Sequence, residues 1–228
     1  VAGFMFANSL NRSELAKTTA DPATQIAQGP PLQPGGAILT PEEIKSKVAS
    51  ADENPKDFQF QKSLGMSLYR YASLKQDPKI LPDAIRIMQR ALDLDPADRD
   101  LVIGLGNAHF DVGYFDKDNK SFEVSRGFYN RALARVPTDV DVRTDLALTY
   151  FLQEPSDLNT AVSEFQKGLE INPKHERSLQ FLARTYLKQN DVAKASETLD
   201  RLKSVNPTNS AINELSIMIT GGNPPTAQ

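Results

Sequence analysis

The stretch from Val136 to Pro207 repeats itself, and this constrains the fold more than any other feature of the 228 residues. Phe165 and Leu199 stand 34 positions apart, as do Pro173 and Pro207, and Leu146-Ala147 returns 36 positions later as Leu182-Ala183. A period near 34 spells a stack of helix pairs. One such pair has an apolar face that it cannot bury alone, so its neighbours must cover it.

The same pattern runs upstream. A first pair follows Asn54-Pro55, with Phe58, Leu64, Gly65, Leu68 and Ala72 at helical spacing, then Ala84, Ile85, Met88, Ala91 and Leu92 before Asp95-Pro96. A second pair holds Leu101, Leu105, Gly106 and His109, then Ser125, Tyr129, Ala132 and Leu133 before Val136-Pro137. Thr40-Pro41-Glu42-Glu43 predicts a helix start: Thr40 can cap, Pro41 suits the first helical position and Glu43 completes a capping box. That short helix, within 40–53, cannot stand alone and is expected to cover one end of the array. Ser210 to about Thr220 predicts a last amphipathic helix, within 208–220, with Ile212, Leu215 and Ile219 inward. Gly221-Gly222 stops it and begins a tail, 221–228.

Composition narrows the function classes. The formal net charge is −3, from 26 basic and 29 acidic residues, so no nucleic-acid partner is implied. The chain has no cysteine, which excludes disulfides, thiolate catalysis and thiolate metal sites. No run approaches the roughly 18 consecutive apolar residues of a spanning helix. The chain opens on Val1-Ala2-Gly3-Phe4-Met5-Phe6-Ala7 and turns polar by Asn8. Residues 1–10 read as the end of a transmembrane or signal-anchor helix whose front is missing, or as a loose apolar terminus. The anchor reading places the array on the periplasmic or extracytoplasmic side of a membrane; the alternative is cytoplasmic. Asn11-Arg12-Ser13 fits a glycosylation sequon, a pattern common by chance. Residues 11–39 carry Pro/Gly-rich linker chemistry, as in Gly29-Pro30-Pro31, and a ligand for a partner's aromatic groove is the competing reading.

At this point the repeats resemble a known family. Leu64-Gly65, Leu68, Ala84, Met88, Ala91 and Pro96, with their counterparts through Leu182-Ala183, Tyr186, Ala195, Leu199, Leu202 and Pro207, are similar to the tetratricopeptide repeat. Small residues let the paired helices approach, large ones fill the gap, and proline ends the second helix. The resemblance covers 54–207 and implies an all-α, right-handed α-solenoid of four helix pairs with short capping helices. It also implies a non-catalytic scaffold for a protein or peptide partner, of bacterial origin, with no cofactor. The pattern departs in two places. Gly65 to Ala84 and Gly106 to Ser125 each span 19 positions, against 12 from Ala183 to Ala195. The extra residues either extend the helices, build a second contact surface, or are drift in tolerant loops.

Candidate chemistry is sparse. Asp116-Lys117-Asp118-Asn119-Lys120 resembles a calcium loop but lacks the turn glycine, and Lys120 stands where a ligand belongs, so a solvated turn is the stronger reading. His109 takes an aromatic position of its repeat and reads as a packed imidazole. His175 opens a helix and reads as exposed. Neither has metal-ligand spacing around it.

In the resembled family, first-helix residues that point away from the partner helix line a concave groove. By register these are Lys62, Met66, Tyr69, Arg70, Ile103, Asn107, Phe110, Leu148, Phe151, Arg177, Arg184, Leu187 and Lys188. The set expects exposed aromatics for a helix or extended peptide, and a cationic end, Arg177, Arg184 and Lys188, for an acidic group. The family's carboxylate clamp is not implied, because Met66 and Gly104 stand where its asparagines belong. The alternative is a structural subunit of a membrane-associated complex that uses its convex face or the long inter-helix turns, with the groove filled by this chain's own C-terminal helix or linker.

Overall fold

The computed structural model describes residues 39–221. The anchor-like opening, the sequon, the linker before Leu39 and the tail after Gly221 lie outside the described residues. Among the described residues every regular element is helical. In order they are α1 (Pro41–Glu53), α2 (Phe58–Lys75), a 3-10 turn η1 (Pro78–Ile80), α3 (Leu81–Leu94), α4 (Arg99–Asp116), α5 (Asn119–Arg135), α6 (Val140–Leu152), α7 (Leu158–Ile171), α8 (Glu176–Lys188), α9 (Val192–Val205) and α10 (Ala211–Ile219).

Caps set most of these boundaries. Thr40 Oγ1 accepts the Glu43 amide at 3.2 Å while Glu43 Oε2 accepts the Thr40 amide at 2.7 Å, the reciprocal pair expected from the sequence. Asp57, Asp118, Asp139, Asp157 and Asp191 each accept an amide from the first turn of α2, α5, α6, α7 and α9. This explains the calcium-like run. Asp118 is the N-cap of α5, taking the Lys120 and Ser121 amides at 3.1 Å each and the Ser121 hydroxyl at 2.7 Å. The hydrogen bond from Ser121, joined by that from the Lys120 amide, holds its carboxyl below the usual range.

The extra residues of the first two pairs are mostly helix. α2 and α4 are 18 residues long, against 13 for α6 and α8. α5 has 17 residues against 14 in α7 and α9, and η1 takes up part of the remainder.

The described residues divide into two compact units, one ending at Ala108 and the other beginning at His109, with the division inside α4. In the first, α2 packs along α3. A Cβ on Gly65 would lie 2.7 Å from Met88 Cγ and 2.9 Å from the Met88 backbone nitrogen, so only glycine admits this approach. Leu68, Ala72, Ala84, Met88, Ala91 and Leu92 are buried here. α1 closes onto this pair. The buried Gln61 amide donates to Ala51 O at 2.6 Å and Asn54 O at 2.9 Å. Arg90 meets Asp52 at 2.6 Å, and Arg86 pairs with the same carboxylate.

In the second unit α5, α6, α7, α8, α9 and α10 pack each on the next, and α8 also touches α6 and α10. Tyr129, Ala132, Leu146, Ala147, Ala161, Phe165, Leu182, Ala183, Tyr186, Ala195, Leu199 and Leu202, all repeat positions, are buried. Phe165 stacks on Phe181 at 6.4 Å. His109 stacks on Phe128 at 5.8 Å, and burial pushes its pKa down, as expected for a packed imidazole. On α10 only Leu215 of the three expected inward residues is fully buried; Ile212 and Ile219 are half-buried.

Candidate interaction surface

The sequence-predicted groove residues fall into both units. In the first, α2 carries Lys62, Met66, Tyr69 and Arg70, while α4 carries Ile103 and Asn107. Arg70 is exposed and the other five are half-buried. Lys62 is already engaged: its ammonium donates to Asp98 at 2.6 Å and Asp100 at 3.2 Å. Burial lowers its pKa, but the two carboxylates outweigh that and the net shift is upward. Met66 packs where Gly104 leaves room, since a Cβ on Gly104 would come within 2.7 Å of Met66 Sδ. The two departures from the carboxylate clamp are therefore one packing solution, with a thioether filling the space of a missing side chain.

In the second unit two expected groove residues belong to the core. Phe110 is 2% exposed and meets the Phe122 ring edge-on at 5.7 Å. Phe122 stands one turn into the lengthened α5 and covers it. Leu148 is 0% exposed, because α6 is packed by α5, α7 and α8 together. Neither side chain offers a partner an open surface. Phe151 and Leu187 are half-buried, as is Leu152 beside them in sequence. Phe151 tilts against Phe181 at 6.5 Å.

The expected cationic end is largely neutralised within the chain. Arg177 is buried against Asp145 at 2.6 Å. Arg184 grips Glu214 of α10 through two nitrogens, at 2.6 and 2.7 Å. That pair holds the Glu214 carboxyl below its usual range, against an opposing effect of burial. Lys188 is exposed and differs: its ammonium donates to Ser156 Oγ at 2.6 Å and Phe151 O at 3.4 Å, and lies 5.0 Å from the Phe151 ring centroid.

His175 is not the exposed residue expected. It caps α8 by accepting the Ser178 amide at 3.3 Å, and Nε2 lies 3.3 Å from Asp141 Oδ1, with the imidazole only 10% exposed. Among the described residues no group of three His, Asp or Glu is placed to hold a metal ion, and no helix is long and apolar enough to cross a membrane.

One surface feature escaped the register argument. A cleft of about 540 Å³ opens between α7 and α9, with Leu182 and Tyr186 of α8 among its lining residues. Gln166 donates to the Tyr186 hydroxyl at 3.1 Å, and Glu170, Glu197 and Arg201 also line it. It belongs to the second-helix face. The only sequence signal for it is the polar stripe of α7 and α9, which reads equally well as a solvated face.

Helices paired in this way, with small residues at the contacts and aspartate caps between, define an all-helical repeat protein of the α-solenoid class. Residues 152–216 match the family model described as Tetratricopeptide repeat, and the solved structures that the chain is similar to share the fold. The MamA structure spanning residue 41 to the end, from Desulfovibrio magneticus RS-1, is 15% identical, with 74% of this chain and 86% of that one covered at a TM-score of 0.57. YrrB, described as a TPR protein with an unusual peptide-binding site, is 16% identical, with 77% and 82% covered at 0.58. TTC0263, a thermophilic TPR protein in Thermus thermophilus, is 19% identical, with 70% and 81% covered at 0.53. No curated protein matches the chain.

Proposed function

We propose that the chain is a non-catalytic protein-interaction scaffold that holds a peptide or helix of a partner protein on the first-helix face of its repeats. The observation that carries this reading is that Phe151, Leu152 and Leu187 stay half-buried on α6 and α8, whereas Phe110 and Leu148 lie in the core. Partially exposed aromatic and aliphatic groups on a rigid scaffold are the usual anchors for a partner. The description of YrrB as peptide-binding is consistent with this use of the fold. A tether through the apolar opening, an extracytoplasmic location and a bacterial source are part of the same proposal and rest on the sequence alone.

The test is affinity capture from the source organism with the full chain and with Phe151→Ala, followed by mapping of the bound segment. A partner held by the wild type and lost by the variant supports the first-helix face around Phe151. A partner held equally by both moves the interface to the second-helix face. The cleft between α7 and α9 favours that alternative, a structural subunit that docks through its convex side.

A further inference from the structure

We infer that the partner segment is acidic and that Lys188 is the residue that reads its charge; the inference rests on the peptide-binding reading above. Its basis is the distribution of charge on the helices that form the first-helix face of the second unit. α6, α8 and α10 carry four cations between them: Arg143, Arg177, Arg184 and Lys188. Arg143 meets Glu164 at 2.8 Å, Arg177 meets Asp145 at 2.6 Å, and Arg184 is held by both oxygens of Glu214. Each is engaged by a carboxylate of this chain, although Arg143 shares Glu164 with Lys167, so the guanidinium groups are already committed within the chain.

Lys188 is the exception among these four. Its two hydrogen bonds go to a hydroxyl and a carbonyl, both neutral. They fix the ammonium above the Phe151 ring without cancelling its charge. A cation in this position has a third N–H to give, and its place in the last turn of α8 is where positive charge suits the helix. The acceptor that completes it is an Asp or Glu carboxylate, or a terminal carboxylate. A peptide that seats an apolar side chain beside Phe151 brings such a group within reach of Lys188. Recognition therefore couples one apolar anchor to one acid. It uses neither the family's clamp, whose positions are filled by Met66 and Gly104, nor the two arginines that the register favoured.

The experiment is an immobilised peptide array in which a fixed Leu or Phe is followed at each nearby position by Asp, Glu, Asn, Gln or Lys. It is probed with the full chain and with Lys188→Gln and Lys188→Glu. The wild type is expected to prefer acidic over amide peptides by roughly 1.5- to fivefold, the range for one solvent-screened ion pair. Lys188→Gln should erase the preference, and Lys188→Glu should turn it toward lysine peptides. Because Lys188 is exposed, the thermal midpoint of both variants should match the wild type. Apolar peptides that bind without charge preference, or an acid preference that survives Lys188→Glu, overturn the role of Lys188 and leave the scaffold reading standing. Binding to no peptide overturns both.

Discussion

The guanidinium of Arg177 lies 2.6 Å from the carboxylate of Asp145, with the arginine side chain 8% exposed and the aspartate 0%. One residue comes from α8 and the other from α6, so this ion pair joins two successive repeats through their first helices. A charge pair this deep is costly to break, because the surviving partner is stranded without water. Arg177→Ala and Asp145→Ala are each expected to cost about 3–5 kcal/mol in chemical denaturation, whereas a well-packed apolar pair at the same positions should recover most of it. A loss under about 1 kcal/mol for Arg177→Ala would mean that the pair is open to solvent and that Arg177 is free to meet a ligand.

Phe110 and Phe151 should separate stability from recognition. Phe110 sits in the core against Phe122, so Phe110→Ala should lower unfolding free energy by about 3–5 kcal/mol. Phe151 is half-buried, so its truncation should cost less than half as much and act mainly on partner binding. Equal destabilisation by the two substitutions would place Phe151 in the core as well.

Sequence speaks clearly where the physics is local and faintly where it is not. The helix pairs are legible because a packing position must be small or large whatever surrounds it: Gly65, Ala84 and Phe165 carry that demand in their own identity. The Thr40 box is legible because its two partners are three residues apart. The groove is legible only as a register. Whether a first-helix side chain reaches solvent depends on what its partner helix and the next repeat lay over it, and Phe122 of the partner helix α5 over Phe110 is such a case. The charge state of the face depends on partners 30 or more residues away: Asp145 for Arg177 and Glu214 for Arg184. Nothing in a 34-residue period announces them. The same holds for His175, whose ring is occupied by Ser178 and Asp141.

Three glycines should respond to alanine in three ways. A Cβ on Gly65 meets the backbone nitrogen of Met88 at 2.9 Å, which cannot move without shifting α3, so Gly65→Ala should destabilise by roughly 1–3 kcal/mol. At Gly104 the nearest atom, 2.7 Å away, is Sδ of Met66, a flexible side chain. Gly104→Ala should therefore cost less, and Met66→Ala should relieve it. Gly127 has nothing within 4 Å of a Cβ, so Gly127→Ala should stabilise by up to about 1 kcal/mol through helix propensity alone. Thermal or denaturant midpoints of the three variants decide the order; a Gly65→Ala protein as stable as the wild type would show that α2 and α3 are not in backbone contact.

Glu214 gives the docking of α10 a dependence on acid. The two hydrogen bonds from Arg184 hold its folded-state pKa below the ordinary carboxylate value, with burial opposing the shift. A carboxyl depressed on folding binds its proton more readily in the unfolded chain. Its stabilisation is therefore fully present above the ordinary carboxylate range and fades as pH falls through the lowered folded value. Because the side chain is 39% exposed, solvent screens the pair and the effect on the whole protein should be small. The informative quantity is the difference in thermal midpoint between the wild type and Glu214→Gln, which cancels the other carboxylates. That difference should be constant near neutrality, shrink as pH falls below the ordinary carboxylate range, and vanish once the folded-state carboxyl has taken up its proton. Amide exchange along α10 should rise over the same interval in the wild type, and at all pH values in the variant. A midpoint difference that persists in acid would mean that Glu214 holds α10 through its shape and hydrogen bonds, with no contribution from its charge.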